Sequence, residues 1–210
     1  AAAQAVGKIP VDFHQLAVST LSLSGHKFGG PHGIGALLVN RCTRIQPLLF
    51  GGPQQRGRRP GTEPVALIVG LAAALRVAWS AREREQRHLA DLRQRLWEQL
   101  NRQAAPVLLN GPTEGGLPGI LNLSFPGCRG DALLMALDLE GVCVSTGSAC
   151  SSGSLLPSPV LRAMGLPEER CRSAIRLSLA PTLTADLVDA AAATIARVVA
   201  RLRSIPADEP

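Results

Sequence analysis

The chain has 210 residues, of which 46% are apolar, and it carries a formal net charge of +6. This length suits one large domain or two small ones, and the apolar content is typical of a globular protein with a substantial core. Tyrosine is absent and aromatic residues make up only 3% of the chain, so a surface that stacks nucleic-acid bases is not expected.

Short β-prone runs open the chain on either side of a glycine-rich loop. The pattern predicts strands at residues 18–23 and 35–39, followed by a glycine- and proline-rich loop over residues 51–64. A single long helix is then predicted over residues 65–103. Its second half carries one apolar stripe with spacings of three and four residues, formed by Leu89, Leu92, Leu96 and Leu100.

The rest of the chain alternates strands with helices. Strands are predicted at residues 120–125, 142–145 and 174–179, and helices at residues 131–139, 158–164 and 184–203, with Thr184 as the N-cap of the last helix. A loop of small residues covers positions 145–154. The alternation predicts an α/β fold, and we place a domain boundary inside the long helix, between units 1–83 and 84–210.

Arginines of the long helix account for much of the positive charge. They are interleaved with acidic residues, and the pairs Glu83/Arg87 and Asp91/Arg95 have the four-residue spacing that supports a helix. A solvated helix face therefore explains the charge better than nucleic-acid binding. The apolar run at residues 65–75 contains glycine and is too short for a membrane span.

The cysteines favour a reducing, cytoplasmic setting. They are widely spaced, with no C-x-x-C pair, which disfavours a disulfide scaffold or a zinc site. The five are Cys42, Cys128, Cys143, Cys150 and Cys171. Cys143 has the apolar neighbours typical of a buried thiol. Cys150 has small polar neighbours, which favour a reactive thiol over an inert one.

We expect no secretory signal in these residues, because the N-terminus has neither a basic region nor a long apolar region. The sequence begins with Ala1 and enters an alanine-rich stretch directly. We therefore expect the chain to be a processed or truncated form of a longer protein.

The stretch SGHKFGGPHGIG, residues 24–35, combines a lysine with anion-binding groups. A sheltered lysine can attack a carbonyl carbon. Ser24 and His26 offer side-chain donors to an anion, and the backbone N–H groups of a glycine-rich turn add more. An enzyme that holds pyridoxal 5′-phosphate covalently needs all of these groups. Lys27 taken alone would be interpreted as a surface lysine.

Two further sites hold candidate anion ligands. Arg176 lies in the apolar strand AIRLSL, where a guanidinium is costly unless it meets an anion, so it either forms a structural ion pair or binds the substrate. The sequence RPGT, ending at Thr62, suits phosphate binding or an ordinary surface loop. Gly33 and Gly35 lack the third glycine of a dinucleotide-binding motif.

Taken in this order, these residues resemble those of the cysteine desulfurases, which are fold-type I pyridoxal-phosphate enzymes of the class-V aminotransferase kind. The resemblance covers nearly all 210 residues and matches the C-terminal half of such an enzyme. It implies that residues 1–83 are the C-terminal part of the large cofactor-binding domain. Residues 84–210 would then form the small C-terminal α/β domain that carries the cysteine loop.

The resemblance also implies roles for individual residues. Lys27 and Cys150 would be catalytic, and Arg176 would hold the substrate carboxylate. Contacts to the cofactor are implied for Gln4, Ser24, Gly25, His26, Lys27 and Thr62, the last of these reaching the phosphate of a neighbouring subunit. Ala1 stands where the family has the aspartate that pairs with the pyridine nitrogen. No metal site is implied, although Cys150 could contact an iron–sulfur group transiently.

The activity implied by this resemblance is removal of sulfur from L-cysteine, giving L-alanine and a persulfide on Cys150 for iron–sulfur cluster assembly or tRNA thiolation. The implied partners are L-cysteine, a sulfur acceptor such as an iron–sulfur scaffold, and a second copy in a cytoplasmic homodimer. Neither a membrane nor a nucleic acid is expected as a partner. Because the family has an N-terminal half with further cofactor contacts, we expect the 210 residues alone to have little or no activity.

Two other interpretations stay open from the sequence. One is a selenocysteine lyase, an aminotransferase or another pyridoxal-phosphate enzyme of the same fold. The other is a non-catalytic fragment that binds a partner through its basic helix.

Overall fold

A computed structural model describes residues 1–112, 115–146 and 157–205. The chain divides into two compact units, Ala1–Arg84 and Glu85–Pro210, which we call unit 1 and unit 2. The division falls inside the long helix, next to the predicted boundary. The assignment of the units to a large and a small domain stays a prediction.

Unit 1 contains a two-stranded antiparallel sheet around the glycine-rich loop. β1 (Thr20–Ser24) pairs with β2 (Gly35–Val39), and the register sets Thr20 opposite Val39. β1 begins two residues later than predicted. A single 3-10 turn, Gly25–Phe28, follows β1 directly.

The loop predicted over residues 51–64 contains one short turn, α1 (Gln54–Gly57), in which Gln55 and Arg56 adopt positive φ. α2 (Val65–Gln103) follows and has the predicted bounds. By length and composition alone α2 is long and apolar enough to cross a membrane, contrary to the prediction from its first eleven residues. One helix of this kind is weak evidence for a membrane span, since helices of soluble proteins pass the same test.

Unit 2 builds a three-stranded antiparallel sheet, ordered β3–β4–β5, and covers it with helices. Its elements after α2 are β3 (Leu108–Leu109), β4 (Ile120–Ser124), α3 (Gly130–Leu139), α4 (Pro159–Ala163), α5 (Glu168–Arg172), β5 (Ala174–Ser178) and α6 (Ala185–Arg203). Thr184 caps α6 as predicted, since its Oγ1 accepts from the Leu187 N–H at 3.4 Å. The strand predicted at residues 142–145 is wrong: only Ser145 forms a bridge, to Arg176.

The core of unit 2 lies between the sheet and helices α2, α3 and α6. The predicted stripe of α2 is buried: Leu89, Leu92, Leu96 and Leu100 are at most 6% exposed. The last three pack in one cluster with residues of the strands and of α6, among them Leu121, Leu123, Ile175, Val188, Ile195 and Val199. The period of the stripe therefore sets which side of α2 faces the sheet.

Ion pairs connect α6 to its neighbours. Arg95 of α2 donates from Nε and Nη2 to the two carboxylate oxygens of Asp189, both at 2.6 Å, instead of pairing with Asp91 as predicted. Arg197 likewise donates to Glu140, at 2.9 and 3.0 Å. At the surface, Arg95 thus pairs with a residue of a different helix and not with its neighbour on the same helix.

Acid should destabilise unit 2 through these carboxylates. Hydrogen bonding from Arg95 lowers the pKa of Asp189, and hydrogen bonding from Arg197 lowers the pKa of Glu140. Because each folded pKa lies below the unfolded value of about 4, the stabilisation is complete above that value and is lost as the pH falls through the folded pKa. We expect Asp189→Asn to be less stable at neutral pH and to lose less stability on acidification.

Urea unfolding followed by circular dichroism at a series of pH values measures this effect. Asp138→Asn on the exposed side of α3 is the matched control and should keep the acid dependence of the original chain. If the free energy of unfolding fell equally steeply with pH in Asp189→Asn and in the original chain, the ion pair with Arg95 would not contribute to the acid dependence.

Candidate active site

The glycine-rich loop between β1 and β2 is held closed at its base. The Gly25 N–H donates to the Ile34 carbonyl at 3.0 Å. A Cβ at Gly25 would lie 2.9 Å from Leu71 Cδ1, and a Cβ at Gly35 would lie 2.6 Å from the Leu23 carbonyl oxygen. At Gly35 only glycine fits, because the Leu23 carbonyl oxygen is a backbone atom that cannot move aside. At Gly25 a Cβ would also lie 3.1 Å from the Ile34 carbonyl oxygen, so a side chain there would require both Leu71 and the loop to shift. The turn after β1 is therefore fixed by sequence.

This fixed turn presents the predicted cofactor ligands together. Ser24 ends β1, and Gly25–Phe28 winds back so that His26 and Lys27 are exposed at its surface. Ser24 Oγ lies 3.5 Å from His26 Nδ1. A hydroxyl, an imidazole and an amine thus lie within one turn of chain, as binding of a phosphate beside a reactive lysine requires.

His32 supports this group, and the sequence reasoning missed it. Its ring stacks on that of His26, with centroids 5.3 Å apart and planes inclined by 13°. The stacking limits the orientations of the His26 ring. The sequence does place His32 in the same glycine-rich stretch as His26, but only the fold of the loop brings the two rings together.

The first segment of the chain contributes Gln4 and a second lysine. Lys8 Nζ donates to Gln4 Oε1 at 3.2 Å, which leaves the Gln4 amide nitrogen as a donor. Burial, and then the positive charge of Lys27, lower the pKa of Lys8. Lys8 therefore lies within electrostatic range of Lys27. The chain contains no lysine besides these two.

Thr62 is exposed in the loop before α2. Its neighbour Gly61 has a φ of 103° and donates its N–H to Gln54 Oε1 at 3.2 Å. Among the described residues 1–112, Thr62 forms no hydrogen bond with the Ser24–Lys27 turn. The role of Thr62 towards the phosphate of another subunit stays a prediction.

In unit 2, Arg176 occupies the middle of β5, opposite Asn122 of β4. Its Nε is buried without a hydrogen-bond partner. Arg176 forms no ion pair with any residue that the structure describes, so the structural ion pair considered from the sequence is not found there. A buried guanidinium atom without a partner is expensive. The arrangement suits a carboxylate ligand.

The backbone of Arg176 is tied to the segment that leads to the predicted cysteine loop. Its N–H donates to the Ser145 carbonyl at 2.5 Å and its carbonyl accepts from the Ser145 N–H at 3.1 Å. Residues 147–156, including Cys150, lie outside the described residues. Cys143 is exposed, contrary to the buried position expected from its apolar neighbours. The cause is that residues 142–144 do not enter a sheet.

A polar network behind β4 was also missed from the sequence. Arg170 Nε donates to Asn110 Oδ1 at 2.7 Å. Asn110 Nδ2 in turn donates to Asn122 Oδ1 at 2.8 Å and to Ser124 Oγ at 2.7 Å. The network fixes the side chain of Asn122, which is the cross-strand neighbour of Arg176. Its members are far apart in sequence, so no local pattern could predict it.

Unit 1 thus holds Ser24, His26 and Lys27 in one turn and carries Gln4 in its first segment, and unit 2 separately provides Arg176. The donors at Ser24 and His26, the amine of Lys27 and the unpaired Nε of Arg176 fit a phosphorylated aldehyde cofactor and a carboxylate substrate.

Comparison with known proteins identifies the family. Residues 2–191 match the aminotransferase class-V family. The chain is 42% identical over 204 residues to the cysteine desulfurase IscS of Dictyoglomus turgidum and 46% identical over 206 residues to that of Klebsiella pneumoniae, covering 97% of this chain in both cases. These alignments cover 52% and 50% of the two proteins, so the chain spans about half the length of the curated relatives it matches.

A solved structure of a NifS-like protein superposes with a TM-score of 0.84 at 34% identity, over 94% of this chain and 51% of the other. The likeness shows that the α/β fold is that of a fold-type I enzyme, as predicted.

Proposed function

Because the chain belongs to the aminotransferase class-V family, we propose that it supplies the lysine, the sulfur-accepting cysteine and the carboxylate-binding arginine of a cysteine desulfurase. The cofactor would be pyridoxal 5′-phosphate, and the substrate L-cysteine. The turn Gly25–Phe28 carries the proposal, because it holds Ser24, His26 and Lys27 in one place.

Each residue would have a separate role that follows from its functional group. Ser24 and His26 would bind the phosphate, and the Gln4 amide nitrogen would donate to the phenolic oxygen. Lys27 would hold the cofactor covalently through Nζ. When bound, pyridoxal 5′-phosphate supplies an electron sink for the bond that breaks in the substrate. Arg176 would hold the substrate carboxylate with its planar fork.

The overall sulfur transfer is balanced without an external oxidant. L-Cysteine and the Cys150 thiol give L-alanine and a persulfide on Cys150. The carbon–sulfur bond of the substrate breaks and a sulfur–sulfur bond forms. The electron pair of the broken bond stays with the carbon fragment, which takes up a proton. The sulfur atom is thereby ready for an acceptor thiol.

The sulfur acceptor would be a protein such as an iron–sulfur scaffold, and the chain would act in the cytoplasm as part of a homodimer. Two observations support the setting. The four described cysteines, Cys42, Cys128, Cys143 and Cys171, are free thiols, and free thiols are typical of a reducing compartment. The exposed position of Thr62 leaves it open to a second subunit.

Persulfide formation on Cys150 tests the proposed function. The chain is loaded with pyridoxal 5′-phosphate, mixed with L-cysteine, alkylated and digested. Mass spectrometry then measures the mass of the peptide that contains Cys150. Steady-state turnover by the 210 residues alone is expected to be little or none, so the incubation is prolonged; one turnover would add one sulfur to Cys150 and give an equal amount of L-alanine. A single turnover suffices for this measurement, because the product stays on the protein.

Cysteine variants sharpen the test. Cys150→Ser should abolish protein-bound sulfur, whereas Cys143→Ser, which removes an exposed thiol of the same chain, should leave it unchanged. If a chain that holds the cofactor on Lys27 forms L-alanine yet carries no sulfur on Cys150, the assignment of Cys150 is wrong.

A further inference from the structure

Three polar residues form a row across the sheet of unit 2. Arg176 of β5 is paired with Asn122 of β4, and Asn110, directly after β3, donates its N–H to the Asn122 carbonyl at 2.8 Å. Side chains of directly opposed residues point to the same face of an antiparallel sheet. We call Asn110, Asn122 and Arg176 the polar row.

The polar row lies on the face of the sheet that is turned away from the core. The residues next to Asn122 and Arg176 in their strands point to the opposite face, and all are at most 5% exposed within the core cluster: Leu121, Leu123, Ile175 and Leu177. Asn122 and Arg176 themselves are half-buried. The polar row is therefore partly shielded from water without being enclosed in the core.

Arg170 of α5 determines how the two amides of the polar row are oriented. A guanidinium can only donate, so the Asn110 atom that lies 2.7 Å from Arg170 Nε must be the oxygen Oδ1. The Asn110 Nδ2 donor then faces Asn122 at 2.8 Å and Ser124 at 2.7 Å. The Asn122 atom facing Asn110 must accept, so it is Oδ1, and the Asn122 Nδ2 donor is turned away from Asn110.

This arrangement leaves two donors of the polar row unused. Among the described residues, neither Asn122 Nδ2 nor the buried Arg176 Nε has an acceptor. Arg170 donates to uncharged oxygens, namely Asn110 Oδ1 and the Leu109 carbonyl, both at 2.7 Å. No carboxylate of the described residues pairs with either guanidinium. Two positive charges and two unused donors in a half-buried place favour a ligand that is an anion with two acceptor oxygens.

We propose that Asn122 is a second ligand of the substrate carboxylate, with its Nδ2 donating to one oxygen while Arg176 donates to the other. Arg170 is the positioning residue, because it orients the Asn122 amide through Asn110. The proposal deepens the proposed function and rests on its assignment of Arg176 to the substrate carboxylate. Opposed residues of an antiparallel pair have Cβ atoms about 4.5–5.5 Å apart, which lets the two side chains meet one carboxylate.

A purely structural role for the network explains less. Such a network would connect α5 to the sheet through Arg170, Asn110 and Ser124, and it would account for their hydrogen bonds. It gives no reason for the unused donors of Asn122 and Arg176, which are costly when buried. The two accounts differ in what they predict for ligand affinity.

The test titrates the full chain, without cofactor, with L-alanine and follows the ¹⁵N-labelled side chains of asparagine and arginine by NMR. L-Alanine carries the carboxylate of the proposed substrate, and L-alaninamide, which has a neutral amide in its place, is the control ligand. We expect L-alanine to shift the signals of Arg176 Nε and Asn122 Nδ2, and L-alaninamide to shift neither.

Asn122→Leu should weaken L-alanine binding about tenfold, because it removes one hydrogen bond to a charged group. Asn101→Leu, at an exposed position of α2, is the matched control and should leave the affinity unchanged. Should Asn122→Leu fail to fold, Asn122→Asp takes its place. Asn122→Asp keeps the acceptor for Asn110 but presents a carboxylate oxygen instead of Nδ2, so L-alanine affinity should again fall at least about tenfold.

Variants of Arg170 separate orientation from stability. Arg170→Met should weaken L-alanine binding about threefold, because an amide that is no longer held must be ordered on binding. Arg170→Lys should restore the affinity, since an ammonium also only donates and so sets the same orientation of Asn110. Urea unfolding of both variants measures stability, and an affinity that is equally low in both would overturn the positioning role.

The outcomes distinguish this proposal from the proposed function. Asn122→Leu that binds L-alanine as tightly as the original chain, while Arg176→Gln does not bind it, would overturn the role of Asn122 and leave that of Arg176 intact. An Arg176 signal that responds equally to L-alanine and L-alaninamide, or to neither, would show that the polar row does not bind a carboxylate. Both assignments would then be wrong.

Discussion

Lys27→Ala should abolish covalent attachment of pyridoxal 5′-phosphate to the chain. The original chain, incubated with the cofactor and reduced with borohydride, should carry one label on the peptide that contains Lys27. The reason is that Ser24 and His26 lie beside Lys27 and can bind the phosphate while the amine reacts with the aldehyde. Peptide mapping by mass spectrometry gives the site and the extent of labelling.

Lys8 is the matched control for this experiment. It is the other lysine of the chain and lies within electrostatic range of Lys27. Lys8→Ala should keep the label on Lys27, because Lys8 donates its hydrogen bond to Gln4 and not to Ser24 or His26. A label that moves to Lys8 or to the α-amino group of Ala1, undiminished in Lys27→Ala, would indicate attachment by chance. No label on the original chain would contradict cofactor binding by this half.

His32→Ala is expected to leave attachment at Lys27 but to lower the affinity for the cofactor about threefold to tenfold, because the His26 ring loses its stacking partner. An absorbance titration with pyridoxal 5′-phosphate measures the affinity. Equal affinities for the variant and the original chain would show that His26 is held in place without His32.

Elements with a hydrophobic pattern repeated over several turns, or with a glycine that the backbone requires, could be predicted from the sequence. The stripe of α2 repeats at helical spacing over several turns, and Thr184 marks the start of α6 by a hydrogen bond to a residue three positions later. The glycine-rich loop after β1 was likewise predictable, and Gly35 is needed there because a Cβ would lie 2.6 Å from the Leu23 carbonyl oxygen. These features depend on neighbours within one stretch of chain.

Features that depend on distant partners could not be predicted. The run at residues 142–145 has strand character, yet only Ser145 finds a partner, Arg176 at the free edge of β5, and local sequence does not show how far such a pairing extends. Arg95 selects Asp189, 94 residues away, over Asp91. The unpaired Nε of Arg176 is also invisible to local reasoning, because its burial comes from elements brought together by the fold.

Arg203→Ala should strongly destabilise unit 2. Arg203 lies in the last turn of α6 and donates from Nε to the Pro126 carbonyl at 3.0 Å. Its Nη1 donates to the carbonyls of Ala104 and Ala105, both at 2.8 Å, and its Nη2 to that of Pro106 at 2.7 Å. One guanidinium thus joins the end of α6 to the segment after α2 and to the segment after β4.

We expect Arg203→Ala to lower the free energy of unfolding by about 3 kcal/mol, since hydrogen bonds to a charged group contribute about 1.5–3 kcal/mol each and these four overlap. Arg203→Lys should recover about a third of the loss, because an ammonium cannot reproduce the planar fork. Arg201→Ala, on the same helix and 3.7 Å from Glu140, is the control and should cost less than about 1 kcal/mol. Urea unfolding measures all three variants, and equal losses for Arg203→Ala and Arg201→Ala would show that the carbonyls find other donors when the guanidinium is removed.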